Sequence, residues 1–168
     1  MKLFITASSG VGKTAVIKEL VKRGYKAYDA DDRQLHLTRL EVKDTGEPAE
    51  WPNGYVDWHY YSWNANEDRL KELLASAETV IVGGFLGNQE ELYHYFDMLI
   101  ALDIDQEEHE RRLRSRPKRK VGDDDQNIKR RLEKYSMHMK KFEYAGFTII
   151  NNSGSIHSTV DQIEKLLK

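Results

Sequence analysis

A glycine-rich segment near the start of the chain, Ala7-Ser8-Ser9-Gly10-Val11-Gly12-Lys13-Thr14, carries the residue types needed to bind phosphate groups. Its two glycines let successive backbone N–H groups turn inward around an anion. Lys13 can then reach the β- and γ-phosphate oxygens of a nucleotide, and the Thr14 hydroxyl can bind Mg²⁺. The pattern predicts a P-loop, with Ala7 where the strictest form has glycine. The alternative is an ordinary glycine-rich turn.

The segment also lies in the context that a P-loop requires. The apolar run Leu3-Phe4-Ile5 precedes it, and residues with helical spacing follow it from Val16 to Val21. A helix that begins here adds its positive N-terminal end to the phosphate site. We therefore expect Ser9 through Thr14 to hold the phosphates of a nucleoside triphosphate.

An acidic cluster, Asp29-Ala30-Asp31-Asp32, follows a short apolar segment. A carboxylate that faces a hydroxyl group can take its proton during phosphoryl transfer. Ligands of parallel sheets bind at the carboxyl ends of the strands, which favours a functional reading of this cluster. The alternative is a solvated acidic turn that begins a helix.

The run from Arg111 to Lys120 is densely basic. Guanidinium groups stabilise the charge that a transferring phosphoryl group carries. Arg112 and Arg116 are four residues apart, so one helical turn would place them on the same face. We interpret the region after Arg116 as a lid, because Pro117 and Gly122 bracket a segment that could hinge. The alternatives are a solvated helix face and a localisation or nucleic-acid patch.

Aromatic residues crowd one short stretch in the first half of the chain: Trp51, Tyr55, Trp58, Tyr60, Tyr61 and Trp63. Aromatic faces with hydrogen-bonding groups nearby suit a flat ring or a sugar. The alternative is that these rings pack a small lobe onto the sheet.

Strand-like and helix-like segments alternate along the chain. The segments predicted as strands are Leu3–Thr6, Tyr25–Tyr28, Thr79–Val82, Phe96–Leu102 and Phe147–Ile150. The segments predicted as helices are Thr14–Arg23, Ala65–Ala77, Glu90–Tyr95, Gln106–Arg114, Asp125–Ala145 and Ser158–Leu167. Apolar strands alternating with helices imply a parallel sheet covered on both faces. The sequence predicts an α/β fold, a three-layer α/β/α sandwich with a five-stranded parallel sheet, and leaves Asp32–Trp63 and Arg116–Asp125 irregular.

Composition narrows the classes of function. The chain of 168 residues suits one domain, and it has no cysteine for thiol chemistry or disulfides. Its six histidines show no metal-ligand spacing. No stretch approaches the roughly 18 apolar residues of a membrane span, and the start leads straight into the first strand, so we expect no signal peptide and a cytoplasmic protein. A net charge of −2 makes nucleic acid an unlikely partner. We expect a monomer or a homodimer.

Together these motifs resemble the nucleoside monophosphate kinase and shikimate kinase group of P-loop enzymes, which pass the ATP γ-phosphate to a small acceptor. After the P-loop, Gly83–Gln89 is similar to the acceptor-binding loop of adenylate kinases. Asp123–Gln126, leading to Arg131, is similar to the far side of their lid. Asn151–Ser155 lies where the group holds the adenine ring. The motifs occur in the same order as in the group.

The resemblance implies roles for residues at the nucleotide. Asp29 would support Mg²⁺ through water. Arg112 would stack on the adenine, with Ser153 and Ser155 in the loop on its other side. Arg116 and Arg131 would clamp the phosphates, and the cofactors would be ATP and Mg²⁺.

The resemblance implies a second set of residues at the acceptor. Asp31 would orient or deprotonate the acceptor hydroxyl. The acceptor would also contact Gly84, Phe85 and Gln89 of the loop. Two further residues are predicted there on other grounds: Arg33, which matches no position of the group but could replace a missing phosphate clamp, and Trp58 of the aromatic stretch. Adenylate kinases have an arginine shortly after Gly-Phe that holds the phosphate of AMP, whereas Leu86-Gly87 stands there in this chain. This departure points away from an adenylate kinase.

The sequence thus predicts one P-loop kinase domain over residues 1–168, with an acceptor-binding insert at about 32–63 and a lid at about 116–125. The predicted function is ATP-dependent transfer of the γ-phosphate to a nucleoside, a nucleotide or a hydroxylated metabolite. An alternative is an ATP-binding switch protein with slow hydrolysis and a macromolecular partner. A weaker alternative is a nucleic-acid-binding protein that uses the basic run, whose binding would fall steeply with salt.

Overall fold

The structure is a computed structural model that describes residues 1–51, 56–115 and 125–168. Its strands are β1 (Lys2–Thr6), β2 (Ala27–Asp29), β3 (Thr38–Val42), β4 (Tyr61–Ala65), β5 (Val80–Gly83), β6 (Met98–Asp103) and β7 (Thr148–Asn151). Its α-helices are α1 (Lys13–Lys22), α2 (Glu67–Ala75), α3 (Gln89–Leu92), α4 (Gln106–Arg114), α5 (Asp125–Tyr144) and α6 (Ile156–Leu166).

Five strands form the central parallel sheet in the order β2-β5-β1-β6-β7. Alternate residues of β1 are buried in two different cores. Leu3 and Ile5 pack with residues of α1 and α6, whereas Phe4 packs with residues of α2 and α5. Because successive side chains of a strand point to opposite faces, helices cover both faces of the sheet. The predicted α/β/α sandwich is confirmed.

The parallel arrangement brings the carboxyl ends of the strands to one edge. In the strand register, Asp29 pairs with Gly83, Thr6 pairs with Ala101, and Asp103 pairs with Asn151. The P-loop, the acidic cluster, the loop after β5 and the loop after β7 therefore start along the same edge. This edge is where ligands of open α/β sheets bind.

The expectation that Asp32–Trp63 is irregular is wrong. Strands β3 and β4 pair there as an antiparallel ribbon, in which Leu40 lies opposite Trp63 and Glu41 opposite Ser62. Polar and apolar side chains alternate along β4 and from Arg39 to Val42 in β3, the pattern of a half-buried strand. The long interval between the two strands hid their pairing, because no tight-turn signal joins them.

Most other predicted elements change only at their ends. Strand β2 runs to Asp29, so this carboxylate belongs to the strand instead of following it. The predicted helix Glu90–Tyr95 is a short α3 followed by a 3₁₀ turn over Tyr93–Tyr95. Every helix in the described parts of the chain is too short or too polar to cross a membrane. The lid expected at about 116–125 lies, but for its last residue, outside the described residues.

Candidate active site

The P-loop joins β1 to α1 and has a backbone that only glycine accepts at two places. Gly10 has φ +100° and Gly12 has φ +111°. A Cβ on Gly10 would lie 2.7 Å from Cδ2 of Leu113, and a Cβ on Gly12 would lie 2.7 Å from Nδ2 of Asn152. Both values are below normal contact distance, so side chains at these positions would push the loop away from α4 and from the loop after β7. The glycines thus keep a close-packed cradle of backbone N–H groups.

The Lys13 side chain connects the P-loop to the acidic cluster. Its Nζ donates to Asp29 Oδ1 at 2.6 Å and to Asp31 Oδ2 at 3.1 Å. Lys13 is 8% exposed, Asp29 is 15% exposed and Asp31 is 53% exposed, so the first ion pair is largely buried and the second opens to solvent. Burial alone would raise the pKa of Asp29, but the Lys13 charge and its hydrogen bonds outweigh burial and hold that pKa below its ordinary value.

The residues around Asp29 suit a bound Mg²⁺. A hydrogen bond from the Thr14 side chain also lowers the pKa of Asp29, so a hydroxyl and an ionised carboxylate lie together at the start of α1. Mg²⁺ prefers such oxygen donors and completes its shell with water and substrate phosphates. Across the described residues, no group of three or more histidine or acidic side chains forms a metal site. That Thr14 and Asp29 hold the ion, Asp29 through water, stays a prediction.

Two side chains brace the P-loop from outside. The Val11 carbonyl accepts a hydrogen bond from Arg112 Nη1 at 2.8 Å and from Asn152 Nδ2 at 2.7 Å. Asn152 is 1% exposed, and its Oδ1 accepts from the Thr159 hydroxyl at 2.7 Å. Arg112 Nη2 also donates to the Asn152 carbonyl at 2.9 Å. Helix α4 and the loop after β7 thus hold the same P-loop carbonyl.

Sequence reasoning did not assign a role to Asn152, although the residue lies within the segment expected to hold the adenine. The pair Asn151-Asn152 at the end of an apolar strand is the sequence feature that could have indicated a functional amide here. A buried amide needs hydrogen-bond partners, and only the fold shows that the P-loop supplies one.

The serines predicted to contact the nucleotide have structural partners. The Ser153 hydroxyl accepts from the Asp105 N–H at 2.8 Å, and the Ser155 hydroxyl caps α6 by accepting from the Ser158 N–H at 3.2 Å. The Ser9 carbonyl lies 2.8 Å from Nε2 of the buried His109, which must carry the proton. The structure brings Arg112, Ser153 and the P-loop together, and their contacts with an adenine stay predictions.

The acceptor side of the acidic cluster is lined by tryptophan. Trp63 Nε1 donates to Asp31 Oδ1 at 3.3 Å. The Trp51 ring packs edge-on against the Trp63 ring at 5.4 Å, and the Arg33 guanidinium lies 4.9 Å from the centre of the Trp51 ring. Trp58 packs against Trp51 at 6.3 Å and is 46% exposed. A chain of contacts through Trp51 and Trp63 therefore connects Arg33, Trp58 and Asp31, and their contacts with an acceptor stay predictions.

The loop after β5 forms a second wall. A Cβ on Gly84 would lie 3.2 Å from the Ala30 Cβ, so the glycine allows close approach to the acidic cluster. Gln89 is buried, and its amide bonds with the Leu86 N–H at 3.2 Å and the Tyr93 hydroxyl at 3.0 Å. Gln89 thus shapes this loop, whereas Phe85 is exposed. Acceptor contacts of Gly84, Phe85 and Gln89 stay predictions.

One face of helix α5 packs against loops at this edge of the sheet. The Tyr135 hydroxyl accepts from the Ile104 N–H at 2.9 Å, and His138 Nδ1 lies 3.0 Å from the Ser8 hydroxyl. The His138 ring also packs against Phe85 at 5.0 Å, so it touches both the P-loop and the loop after β5. Arg131 lies one turn before Tyr135 and so shares this face. Arg116, the other predicted clamp, lies outside the described residues.

Comparison with known proteins agrees with this geometry. The family model of the AAA domain matches residues 3–141. Among solved structures, the 1.7 Å crystal structure of shikimate kinase from Bacteroides thetaiotaomicron has 18% identity and a TM-score of 0.61, covering 99% of this chain and 98% of that chain. No curated protein matches the chain. The fold expected from the nucleoside monophosphate kinase and shikimate kinase group is confirmed, and at this identity the likeness concerns the fold alone.

Proposed function

The chain belongs to the AAA domain family, and from that membership and the site geometry we propose that it moves the γ-phosphate of ATP to a small-molecule acceptor. One observation carries the proposal. Lys13 of the P-loop lies within hydrogen-bond distance of both Asp29 and Asp31. A cation suited to phosphate and a carboxylate suited to a hydroxyl thus lie side by side, as phosphoryl transfer needs.

At the nucleotide, the backbone of Ser9, Gly10, Val11 and Gly12 would bind the phosphates, and Thr14 and Asp29 would hold Mg²⁺, Asp29 through water. The metal would supply positive charge to the phosphate oxygens. Lys13 would neutralise the charge of the transferring group, with Arg131 and Arg116 as further clamps. The adenine would lie between Arg112 and the loop of Ser153 and Ser155.

At the acceptor, Asp31 would orient the hydroxyl group and take its proton as the phosphoryl group transfers. Its half-exposed carboxylate supports this role, because an incoming hydroxyl group can reach it beside the Trp63 ring. Arg33, Trp58, Gly84, Phe85 and Gln89 would surround the acceptor. A nucleoside, a nucleotide and a hydroxylated metabolite all fit this chemistry.

The second candidate is an ATP-binding switch protein that hydrolyses ATP slowly. The braced P-loop would serve such a protein equally well. The Asp31–Trp63 contact favours the kinase, since a switch needs no acceptor carboxylate. We further propose a single domain whose insert at about 32–63 binds the acceptor, and a cytoplasmic monomer or homodimer.

The test is release of ADP from Mg·ATP in the presence of a panel of acceptors: nucleosides, nucleoside monophosphates, sugars, sugar acids, shikimate and aminoglycosides. Lys13→Ala provides the blank. A rate that rises sharply with one class of acceptor supports a kinase and identifies its substrate class. A slow rate that ignores every acceptor contradicts the kinase and supports the switch protein.

A further inference from the structure

Trp63, a residue to which sequence reasoning gave no separate role, makes three different contacts at the acceptor side. Its indole Nε1 donates to Asp31 Oδ1 at 3.3 Å. Its backbone carbonyl accepts from the Gly87 N–H at 2.7 Å. Its ring packs edge-on against Trp51 at 5.4 Å. The residue therefore joins the acidic cluster, the loop after β5 and the aromatic segment.

The position of Trp63 is fixed by the ribbon of β3 and β4. Its register partner is Leu40, which is 3% exposed. Asn88 strengthens the same strand, because its side chain accepts from the Ala65 N–H at 2.9 Å and donates to the Ala65 carbonyl at 3.2 Å. A strand held on both edges presents the rigid indole N–H in one direction, and an indole has only two side-chain torsions to fix.

Asp31 is shared between two donors, one on each oxygen. Lys13 holds Oδ2 and Trp63 holds Oδ1. Phosphates bound in the P-loop would draw the Lys13 ammonium toward them, because a multiply charged anion attracts a cation more strongly than one half-exposed carboxylate. Of these two donors, the indole would then be the one that remains on Asp31.

We propose that Trp63 is the positioning residue that aims Asp31 at the acceptor, and that nucleotide binding prepares the acceptor site by drawing Lys13 away from the same carboxylate. The inference rests on the proposed function, since it assumes a nucleotide in the P-loop. It goes further by assigning a role to Trp63 and an order of events: the nucleotide binds first and makes Asp31 available, and the Trp63 indole keeps Asp31 aligned.

The first experiment observes the indole N–H groups by NMR in the full-length protein, whose three tryptophans give three indole signals. Loss of a signal in Trp63→Phe assigns that residue. The Trp63 proton should lie downfield in the wild type and move upfield in Asp31→Ala, because the acceptor of its hydrogen bond is gone. Addition of Mg·ADP should move the wild-type signal but leave that of Asp31→Ala in place.

Binding of ADP is measured in parallel with a fluorescent ADP analogue, which separates the two hypotheses. If ADP binds but the Trp63 signal does not move, or if Asp31→Ala leaves the signal unchanged, the positioning role is wrong and the kinase proposal stands. If no nucleotide binds, both are wrong. Tyr144→Phe, which alters a ring that is 97% exposed, is the control for general effects of substitution.

The second experiment measures transfer to the acceptor that the panel identifies. Trp63→Phe keeps an aromatic ring but removes the N–H, so kcat/KM for the acceptor should fall about tenfold while the KM for ATP changes less than about twofold. Because Trp63 acts through Asp31, Trp63→Phe should cost nothing further in an Asp31→Asn background. Additive losses, or an equal rise in the KM for ATP, would overturn the proposal.

Discussion

At the scale of single residues, charge balance governs the site. The Lys13 ammonium is nearly buried and lies between the carboxylates of Asp29 and Asp31. Removing one member of a buried ion pair leaves the other charge desolvated and uncompensated, which is costly. The Asp29 pKa is lowered, so its contribution to stability is complete above its ordinary value of 3.8 and is lost as the pH falls through the lowered folded value.

Lys13→Met should therefore destabilise the nucleotide-free protein by about 3 kcal/mol at neutral pH, because Asp29 keeps its charge without a partner. The double variant Lys13→Met with Asp29→Asn should recover most of this loss. Urea unfolding at pH 7 measures both. If the single variant is as stable as the wild type, the ion pair is not a significant part of the fold.

Asp31→Asn tests the acceptor chemistry. The variant loses the carboxylate that we propose as the proton acceptor but keeps an oxygen for the Trp63 N–H. We therefore expect kcat to fall about 100-fold or more, at the lower end of what general bases supply. Affinity for ATP should change little, since the P-loop is intact. Steady-state kinetics with the identified acceptor measures the change in kcat separately from the change in ATP affinity. Equal losses in both would assign Asp31 a structural role.

At the scale of elements, the P-loop is braced from two sides. Helix α4 contributes Arg112 and the loop after β7 contributes Asn152, both hydrogen-bonded to the Val11 carbonyl. The two glycines allow the loop to adopt its left-handed backbone conformation. The hydrogen bonds from Arg112 and Asn152 then hold the loop in that conformation. A binding loop held in advance loses less entropy when a ligand binds.

Asn152→Ala should lower the free energy of unfolding by about 2 kcal/mol and weaken ADP binding about tenfold, because the Thr159 hydroxyl and the Val11 carbonyl each lose a buried partner. Asn151→Ala is the matched control at the adjacent end of β7, where the exposed side chain bonds to Asp105 and Ser153. Urea unfolding and ADP titration measure the two effects. Equal effects from both variants would contradict the bracing role.

Helix α5 links the P-loop to the loop after β5 through His138. Burial lowers its pKa below the ordinary value of 6.5, and Lys134 and Lys141 lower it further. The fold thus prefers the neutral ring, so its contribution to stability is complete above pH 6.5 and is lost as the pH falls through the lowered folded value. Ser8 and Phe85 are the groups that the ring contacts.

We expect the melting temperature of the wild type to fall more steeply below pH 6.5 than that of His138→Gln, because glutamine can hydrogen-bond to Ser8 but does not titrate. Thermal unfolding over pH 5 to 7.5 measures the two slopes. Identical slopes would show that protonation of His138 does not affect the fold.

At the scale of the whole molecule, four loops from different strands meet at one edge of the sheet. A ligand that contacts several of them holds together segments far apart in sequence, so binding and stability are linked. At about 100 times its dissociation constant, Mg·ADP should stabilise the fold by about 2.7 kcal/mol. For a chain of 168 residues this corresponds to a rise in melting temperature of about 5–10 °C. Differential scanning calorimetry measures it, and Lys13→Met should show almost none of the rise.

The local pattern of the sequence was enough to predict the P-loop, the α/β fold and the edge of the sheet at which the candidate site lies. The P-loop could be predicted because its glycines, the apolar strand before them and the helix after them are adjacent along the chain. The edge could be predicted because the carboxyl ends of parallel strands lie at the same edge of a sheet. The tertiary structure alone decided the ribbon of β3 and β4, the brace by Asn152 and the contacts of Trp63 and His138. Each of these depends on atoms brought together across a long sequence separation, and no local propensity encodes such a pairing.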